Sequence, residues 1–144
     1  MKNKLIILLS LFLFSCVSTK TEEVVEQSYP DGSPKIVKVY ADNGTTRVLI
    51  KETNYYANHA KYMEGGYLND KRDGLWISWY QNGNKWSEGN FKNGLDDGKR
   101  TGWYENGKKH FDGTYKDGKK IGMWKFYDEN GLLLKEVDYD KNPE

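Results

Sequence analysis

Residues 74–94 read GLWISWYQNGNKWSEGNFKNG, and this stretch decides the fold. The pair Asn82-Gly83 separates two runs of about 8 residues that are rich in aromatic side chains, which is typical of strands. Asn-Gly pairs favour two-residue hairpin turns, whose central residues take positive φ. A second pair, Asn93-Gly94, predicts the turn at the opposite end of the strand. The predicted hairpin pairs Tyr80 with Lys85, Ser78 with Ser87 and Trp76 with Gly89.

The same pattern recurs every 24 residues without insertion or deletion. Four ladders share this spacing: Asn58, Asn82, Asn106 and Asn130; Tyr67, Phe91, Tyr115 and Tyr139; Glu64, Glu88, Asp112 and Glu136; Tyr55, Trp79, Trp103 and Tyr127. A fixed period of this length is the signature of a repeat architecture. We therefore predict an all-β protein, a single antiparallel β-meander of 24-residue hairpins over residues 29–144, without a regular helix. The predicted strands are 34–40, 46–57, 60–68, 74–81, 84–92, 98–105, 108–116, 122–129 and 132–139.

Alternation along the strands divides the side chains between two faces. Trp76, Phe91 and Trp124 fall on the more apolar face, which we predict to be the core. Gly65, Gly89 and Gly113 are expected to leave room there for a neighbouring ring to lie over the backbone.

The first residues follow the plan of an exported protein. Lys2 and Lys4 precede an apolar run from Leu5 to Phe14, which is too short to span a bilayer of about 30 Å as a helix but suits a signal peptide. The run ends at Ser15-Cys16, which resembles the bacterial lipobox, in which a Cys after a small residue becomes the acylated N-terminus. An ordinary secretory signal would have the same preceding regions, but the chain's only Cys lies where acylation requires it.

This resemblance divides the chain into three parts. We predict a lipoprotein signal peptide at residues 1–15, a polar tether at 16–28 and the hairpin domain at 29–144. Val17, rather than Asp, follows Cys16, and in the sorting of such lipoproteins this favours the outer membrane. The predicted location is therefore the bacterial cell envelope, with a lipid anchor in the membrane.

Several short sequence motifs of the repeat resemble those of a known family, the MORN-repeat variant, often labelled YwqK-type antitoxin. They are Asp73-Gly74-Leu75-Trp76, Trp79-Tyr80-Gln81-Asn82-Gly83 and Lys85-Trp86-Ser87-Glu88-Gly89. The resemblance covers about residues 54–140 and implies a MORN-like curved sheet with a binding or scaffold role, for some relatives toxin neutralisation. It implies no catalytic residue. The chain departs from the pattern at three places: His59 in a turn Gly slot, Arg100 in a Trp slot and the apolar run Leu132-Leu133-Leu134.

Two ladders form the candidate binding surface. Trp79, Trp103 and Tyr127 are predicted to lie on the less apolar face, beside Glu64, Glu88, Asp112 and Glu136. The acids are expected either to form a groove for a cationic or hydroxylated partner or to be neutralised at the surface by Lys85, Lys92 and Lys109. The aromatic side chains are expected either to pack or to stack on sugars or peptide side chains.

Composition excludes several functional classes. With 22 basic and 21 acidic residues, bulk charge does not indicate a nucleic-acid partner. One Cys excludes an intrachain disulfide and a Cys-rich metal site. The two His are not placed as a metal site, and no phosphate-binding loop or nucleophilic triad is present, so we predict neither metal, cofactor nor enzyme activity.

These observations predict a membrane-anchored, non-enzymatic repeat lipoprotein that binds a macromolecular partner, either a toxin or an envelope protein. The alternative is a carbohydrate- or peptidoglycan-binding module of the envelope. An exported protein does not meet a cytoplasmic toxin, so an antitoxin role requires a toxin that acts in the envelope.

The lipobox generates a direct test. Cys16→Ser removes the sulfur that acylation requires, and acyl chains contribute about 0.8 kcal/mol per buried CH₂ to membrane binding. We expect this variant to move from the detergent phase to the aqueous phase in a phase-partition assay. If the variant partitions as the wild type does, Cys16 is not the anchor.

Overall fold

The computed structural model describes residues 20–141 as one open antiparallel sheet of ten strands. The strand order in the sheet is the order in the chain, so each strand pairs with the one before and the one after it. Residues 20–141 contain no helix, and the predicted all-β meander is confirmed. The strands are β1 (Lys20–Ser28), β2 (Pro34–Asp42), β3 (Arg47–Tyr55), β4 (Lys61–Leu68), β5 (Lys71–Trp79), β6 (Lys85–Lys92), β7 (Leu95–Trp103), β8 (Lys109–Lys116), β9 (Lys119–Tyr127) and β10 (Leu133–Asp138).

Loops of three residues, each closed by a hydrogen-bonded pair of flanking residues, connect the strands along one side of the sheet, which we call the loop rim. In the loop after β5, Tyr80 N–H donates to the Asn84 carbonyl over 2.9 Å and Gly83 N–H donates to the Tyr80 carbonyl over 3.0 Å. Gly83 has a φ of 86°, as the third residue of such a loop requires. The loop rim comprises the loops at 29–33, 56–60, 80–84, 104–108 and 128–132, which share these two hydrogen bonds.

The predicted two-residue turn at Asn82-Gly83 is therefore wrong. Asn82 is not among the residues with positive φ, and the loop also includes Gln81. Lys85 consequently pairs with Trp79 instead of Tyr80, whereas the predicted pairs of Ser78 with Ser87 and Trp76 with Gly89 are confirmed. His59 takes the Gly slot of its loop with a φ of 67°.

The opposite side of the sheet, which we call the turn rim, carries the tight turns. Asn93 and Gly94 have φ values of 52° and 86°, as a type I′ turn requires. The turn rim comprises the turns at 43–46, 69–70, 93–94 and 117–118 together with the start of β1. The strands that follow the three two-residue turns begin three residues earlier than predicted, at Lys71, Leu95 and Lys119, because such a turn leads directly into the ladder. β3, after the turn at 43–46, begins at Arg47, one residue later than predicted.

The aromatic core lies on one face of the sheet, where tryptophan rings cover glycine backbones; Val37 and Thr53, also buried, lie on the other face in line with Glu64. Trp76 and Trp124 are only 3 % and 2 % exposed. A Cβ added at Gly65 would overlap the Trp76 ring, and one added at Gly113 would overlap the Trp124 ring. The aromatic neighbours of these two rings are Tyr67, Phe91, Phe111, Tyr115, Phe126 and Tyr139. We call this side the core face, and its prediction from sequence is confirmed.

The middle repeat replaces this packing with an ion pair. Arg100 occupies the Trp slot and lies over Gly89, where an added Cβ would meet its side chain. The slot that holds Arg72 in the repeat before holds Asp96 here, and Asp96 accepts a hydrogen bond from Arg100. In the repeat before, Arg72 instead lies 4.1 Å from the centre of the Trp76 ring. The cation and its partner thus exchange places between repeats, which keeps both slots paired.

The predicted polar tether is wrong over most of its length. Residues Lys20–Ser28 form β1 and pair with β2, with Val25 opposite Val37. The segment's charges hid the strand, yet charged side chains are typical of an edge strand because they discourage pairing with other chains. The hairpin domain therefore begins at Lys20 instead of residue 29. The signal peptide at 1–15 and residues 16–19 of the tether lie outside the described residues.

The contact between Gly113 and Trp124 generates a stability prediction. Gly113→Ala forces a methyl group into the Trp124 ring, and overpacking of this kind costs about 1–3 kcal/mol. Gly107→Asn is the matched control, because a Cβ at Gly107 would meet only Asn84 Nδ2 at an ordinary contact distance of 3.9 Å and His59 already occupies the equivalent slot. We expect urea unfolding to show a clear loss of stability for Gly113→Ala and a smaller one for the control. Equal losses would contradict the proposed packing.

Candidate binding surface

The predicted acidic ladder lies in one cross-strand row on the face opposite Trp76 and Trp124, which we call the ladder face. Successive strand pairings place Glu64 opposite Ile77, Ile77 opposite Glu88, and Glu88 opposite Thr101. The row continues through Asp112, Lys125 and Glu136. Each acid is therefore separated from the next by a strand that contributes an uncharged or basic side chain. This spacing reduces the repulsion expected between neighbouring carboxylates.

The aromatic ladder forms the next row toward the loop rim. Trp79 is paired with Lys85 and Trp103 with Lys109, so aromatic and basic residues alternate across the strands. The lysine Nζ atoms also lie near the ring on their other side: Lys61 is 5.8 Å from the Trp79 centroid, Lys85 5.6 Å from Trp103 and Lys109 5.5 Å from Tyr127. Each ring is thus within cation–π distance of an ammonium group.

The same lysines bind the acids. Lys85 Nζ lies 2.7 Å from Glu88 Oε2, and Lys109 Nζ lies 3.1 Å from Asp112 Oδ1. Residues three apart in a regular strand point to opposite faces, but here a β-bulge lies between the two members of each pair. In β6 the bulge places the Lys85 and Glu88 side chains on one face. One lysine therefore joins an aromatic ring to a carboxylate, and this triad recurs every 24 residues.

The ends of the acidic row use additional lysines. Glu64 Oε2 accepts from Lys61 over 2.9 Å and lies 3.1 Å from Lys51 Nζ. Lys125 Nζ lies 2.9 Å from Glu136 Oε1. Of the three lysines expected to neutralise the acids, Lys85 and Lys109 do so. No contact between Lys92 and an acid of the row is observed within residues 20–141.

Electrostatics favour the charged form of Glu64. Partial burial opposes ionisation, but the hydrogen bonds and charges of Lys61 and Lys51 outweigh it and hold the pKa of Glu64 below its ordinary value. A general acid requires the opposite shift, so the environment of Glu64 suits an ion-pairing role instead of proton donation.

Several exposed apolar side chains on the ladder face were not predicted as part of the site. Leu75 is 50 % exposed and Met123 49 %, and both project from the same side of their strands as the neighbouring row residues Ile77 and Lys125. Their slots hold Leu, Lys and Met in successive repeats, so no ladder of like residues marks them in the sequence. The face therefore presents apolar as well as charged surface.

The described part of the chain contains neither a metal-binding cluster nor a membrane-spanning helix. Between residues 20 and 141, no group of three or more His, Cys, Asp or Glu side chains is arranged to hold a metal ion. The same residues include no helix with the length and apolar character needed to cross a bilayer. The chemistry available on the ladder face is thus ion pairing, hydrogen bonding and ring contact. Cys16 lies outside the described residues.

Comparison with protein families decides what these hairpins are. The MORN repeat variant matches the chain at residues 72–93, 96–117 and 120–141. The chain carries MORN repeats. Each match covers one hairpin, β5–β6, β7–β8 or β9–β10. No curated protein matches the chain, and no solved structure matches it.

The MORN repeats explain the period but not the whole sheet. The β3–β4 hairpin precedes the first match, yet it has the same loop hydrogen bonds and the same lysine–acid pair, Lys61 with Glu64. The β1–β2 hairpin shares the loop but lies outside the 24-residue phase. The three matched MORN repeats are thus the C-terminal part of a longer series of hairpins.

The two lysine partners of Glu64 generate a prediction of pH dependence. Because its folded-state pKa is lowered from 4.5, the stabilisation it provides is present above that value and is lost as the pH falls through the folded-state pKa. Glu64→Gln should therefore lower stability at pH 7, by no more than about 1 kcal/mol for such partly exposed pairs. We expect the gap in unfolding free energy from wild type to shrink in acid. A gap that is unchanged or larger in acid would exclude the proposed pairing.

Proposed function

We propose that the chain is a membrane-anchored, non-enzymatic repeat lipoprotein that binds a protein partner through the ladder face. The observation that supports this is the recurrence of one surface unit, an aromatic ring and a carboxylate joined by a lysine, in successive hairpins. A repeated surface offers the same contact several times, which suits binding. Catalysis instead needs groups in distinct roles with different pKa values.

A protein partner fits this surface better than a sugar. Aromatic residues and partly buried charges are the elements that dominate protein–protein interfaces. The Trp79 and Trp103 rings already have lysine ammonium groups within 5.8 Å and 5.6 Å of their centroids, which compete with a sugar for the ring. The carboxylates are likewise engaged, so a glycan would have to displace ion pairs to accept hydrogen bonds. Binding of carbohydrate or peptidoglycan is therefore the second candidate.

The location follows from the N-terminal sequence. Acylation of Cys16 would place the protein in the bacterial cell envelope, and Val17 after the Cys favours the outer membrane. A partner must then be an envelope protein or a toxin that acts there. We propose an immunity role of the latter kind, which agrees with the YwqK-type antitoxin resemblance and avoids the conflict with export.

The backbone of the surface makes it possible to test the side chains alone. The Trp79 carbonyl accepts the Tyr56 hydroxyl and the Trp103 carbonyl accepts the Tyr80 hydroxyl, each over 2.8 Å. Truncation of either tryptophan to alanine leaves the backbone acceptor in place. The variant Trp79→Ala with Trp103→Ala is therefore expected to keep the fold.

We expect this double variant to lose partner capture in a pull-down with the intact lipoprotein from its own envelope. Removal of central aromatic residues from an interface costs about 2 kcal/mol or more each, whereas contacts outside the interface cost little. Trp86→Ala is the matched control, because Trp86 is 44 % exposed and packs beside Tyr80 on the core face. The control should retain capture, and a thermal melt should show native protein in both variants.

Three results would contradict the proposal. Capture by the double variant at the wild-type level would exclude the ladder face as the interface. Loss of binding to isolated peptidoglycan, in place of loss of a protein partner, would support the second candidate. A double variant that is unfolded would place the two tryptophans in the core, since a core aromatic truncation costs about 3–5 kcal/mol.

A further inference from the structure

The turn rim combines exposed apolar side chains with a series of cations. Val48, Leu68 and Leu95 flank the turns and are 51 %, 56 % and 50 % exposed. The basic residues at the start of β1 and beside the turns are Lys20, Arg47, Lys71, Lys92, Lys116 and Lys119, against Asp42, Asp70 and Asp117 among the acids. Two of these cations already have carboxylate partners, Arg47 with Glu22 at 3.0 Å and Lys116 with Asp97 at 2.8 Å. Apolar side chains beside lysine and arginine are the combination that lies in a membrane interface.

The start of β1 brings this rim close to the predicted anchor. Only residues 17–19 lie between Cys16 and Lys20, where β1 begins. Four residue steps of fully extended chain span at most about 14 Å. Because Lys20 pairs with Asp42, at the turn that follows β2, this short connection starts at the turn rim. With Cys16 acylated as proposed, the strand that replaces most of the predicted tether would hold the sheet near the bilayer.

We infer that the turn rim rests on the bilayer surface that holds the acyl chains of Cys16, with the strands rising from the membrane toward the loop rim. This inference depends on the proposed anchor and adds an orientation to it. The partner of the rim is the lipid surface itself. The apolar residues contact its interface, and the basic residues contact its anionic head groups.

Two other orientations fit the side chains less well. If the β1 edge faced the bilayer, Glu22, Glu23 and Glu26 would lie against it, and an anionic surface would repel them. If the loop rim faced the bilayer, the short connection from Cys16 would have to cross the length of β1. The exposed leucines at 132–134 lie at the loop rim and the start of β10, at the corner of the sheet diagonally opposite Lys20.

The test compares two labels at opposite ends of the same strand. Lys92 ends β6 at the turn rim, and Gln81 lies in the loop that precedes β6 at the loop rim, both exposed. Each is changed to cysteine in the full lipoprotein, Lys92→Cys or Gln81→Cys, and labelled with a fluorophore. Both acylated proteins are reconstituted into phosphatidylethanolamine–phosphatidylglycerol vesicles that contain head-group nitroxide lipid. The pair Lys119→Cys and Glu129→Cys repeats the comparison at the two ends of β9.

We expect the turn-rim labels to be quenched several times more strongly than the loop-rim labels. Equal quenching at both rims, or stronger quenching at the loop rim, in protein that floats with the vesicles would overturn the orientation and leave the anchor intact. Failure of the acylated protein to float with the vesicles would overturn the anchor and the orientation with it. The second pair of labels keeps the test decisive if one variant of the first pair melts early.

Discussion

The bond between each loop tyrosine and the next hairpin fixes how the repeats of this sheet align with one another, in addition to the backbone ladder. A sheet of one layer has no second layer of strands to bury its side chains, so successive hairpins must bind each other directly. Tyr56, Tyr80 and Tyr104 each donate a hydroxyl hydrogen to a backbone carbonyl 23 residues later, over 2.8 Å. The phenol rings also contact the rings of Tyr62, Trp86 and His110, respectively, on the strand after each loop. Each such bond sets the offset between one loop and the next.

The loop asparagines extend this connection and explain why the Asn ladder exists. Asn82 Oδ1 accepts from the Asn84 N–H within its own loop, and Asn82 Nδ2 donates to the Glu105 carbonyl of the next loop. Asn106 makes the equivalent pair of bonds to Lys108 and Glu129. Only a side chain with both a donor and an acceptor can bind its own loop and the following one in this way. The repeat of Asn therefore has a structural cause, which is independent of the candidate binding surface.

The sequence was sufficient for the repeat and the faces, but not for the bulges. Ladders of like residues predicted the hairpins, the core face with Trp76 and Trp124, and the placement of Trp79 and Glu88 on the opposite face. Asn82-Gly83 was misassigned because a two-residue turn and a three-residue loop both place Gly at positive φ. The extra loop residue moves Lys85 opposite Trp79 and brings it to Glu88. The lysine–aromatic–acid units could not be predicted without that bulge. β1 was not predicted, because its many charged residues resemble a polar linker, although such residues are also typical of an edge strand.

The nearest-neighbour character of the contacts has an evolutionary consequence. The strand pairings join residues of the same hairpin or of adjacent hairpins, because the strands lie in the sheet in their order along the chain. Duplication of one 24-residue segment would therefore insert a complete unit without disturbing the packing of the others. Arg72 and Trp76 of one repeat correspond to Asp96 and Arg100 of the next, so both members of a contacting pair differ together. This indicates that individual units diverge by paired substitutions within themselves. A lineage could thus lengthen the sheet in whole units, and each addition would carry another ring and carboxylate in register with those before it.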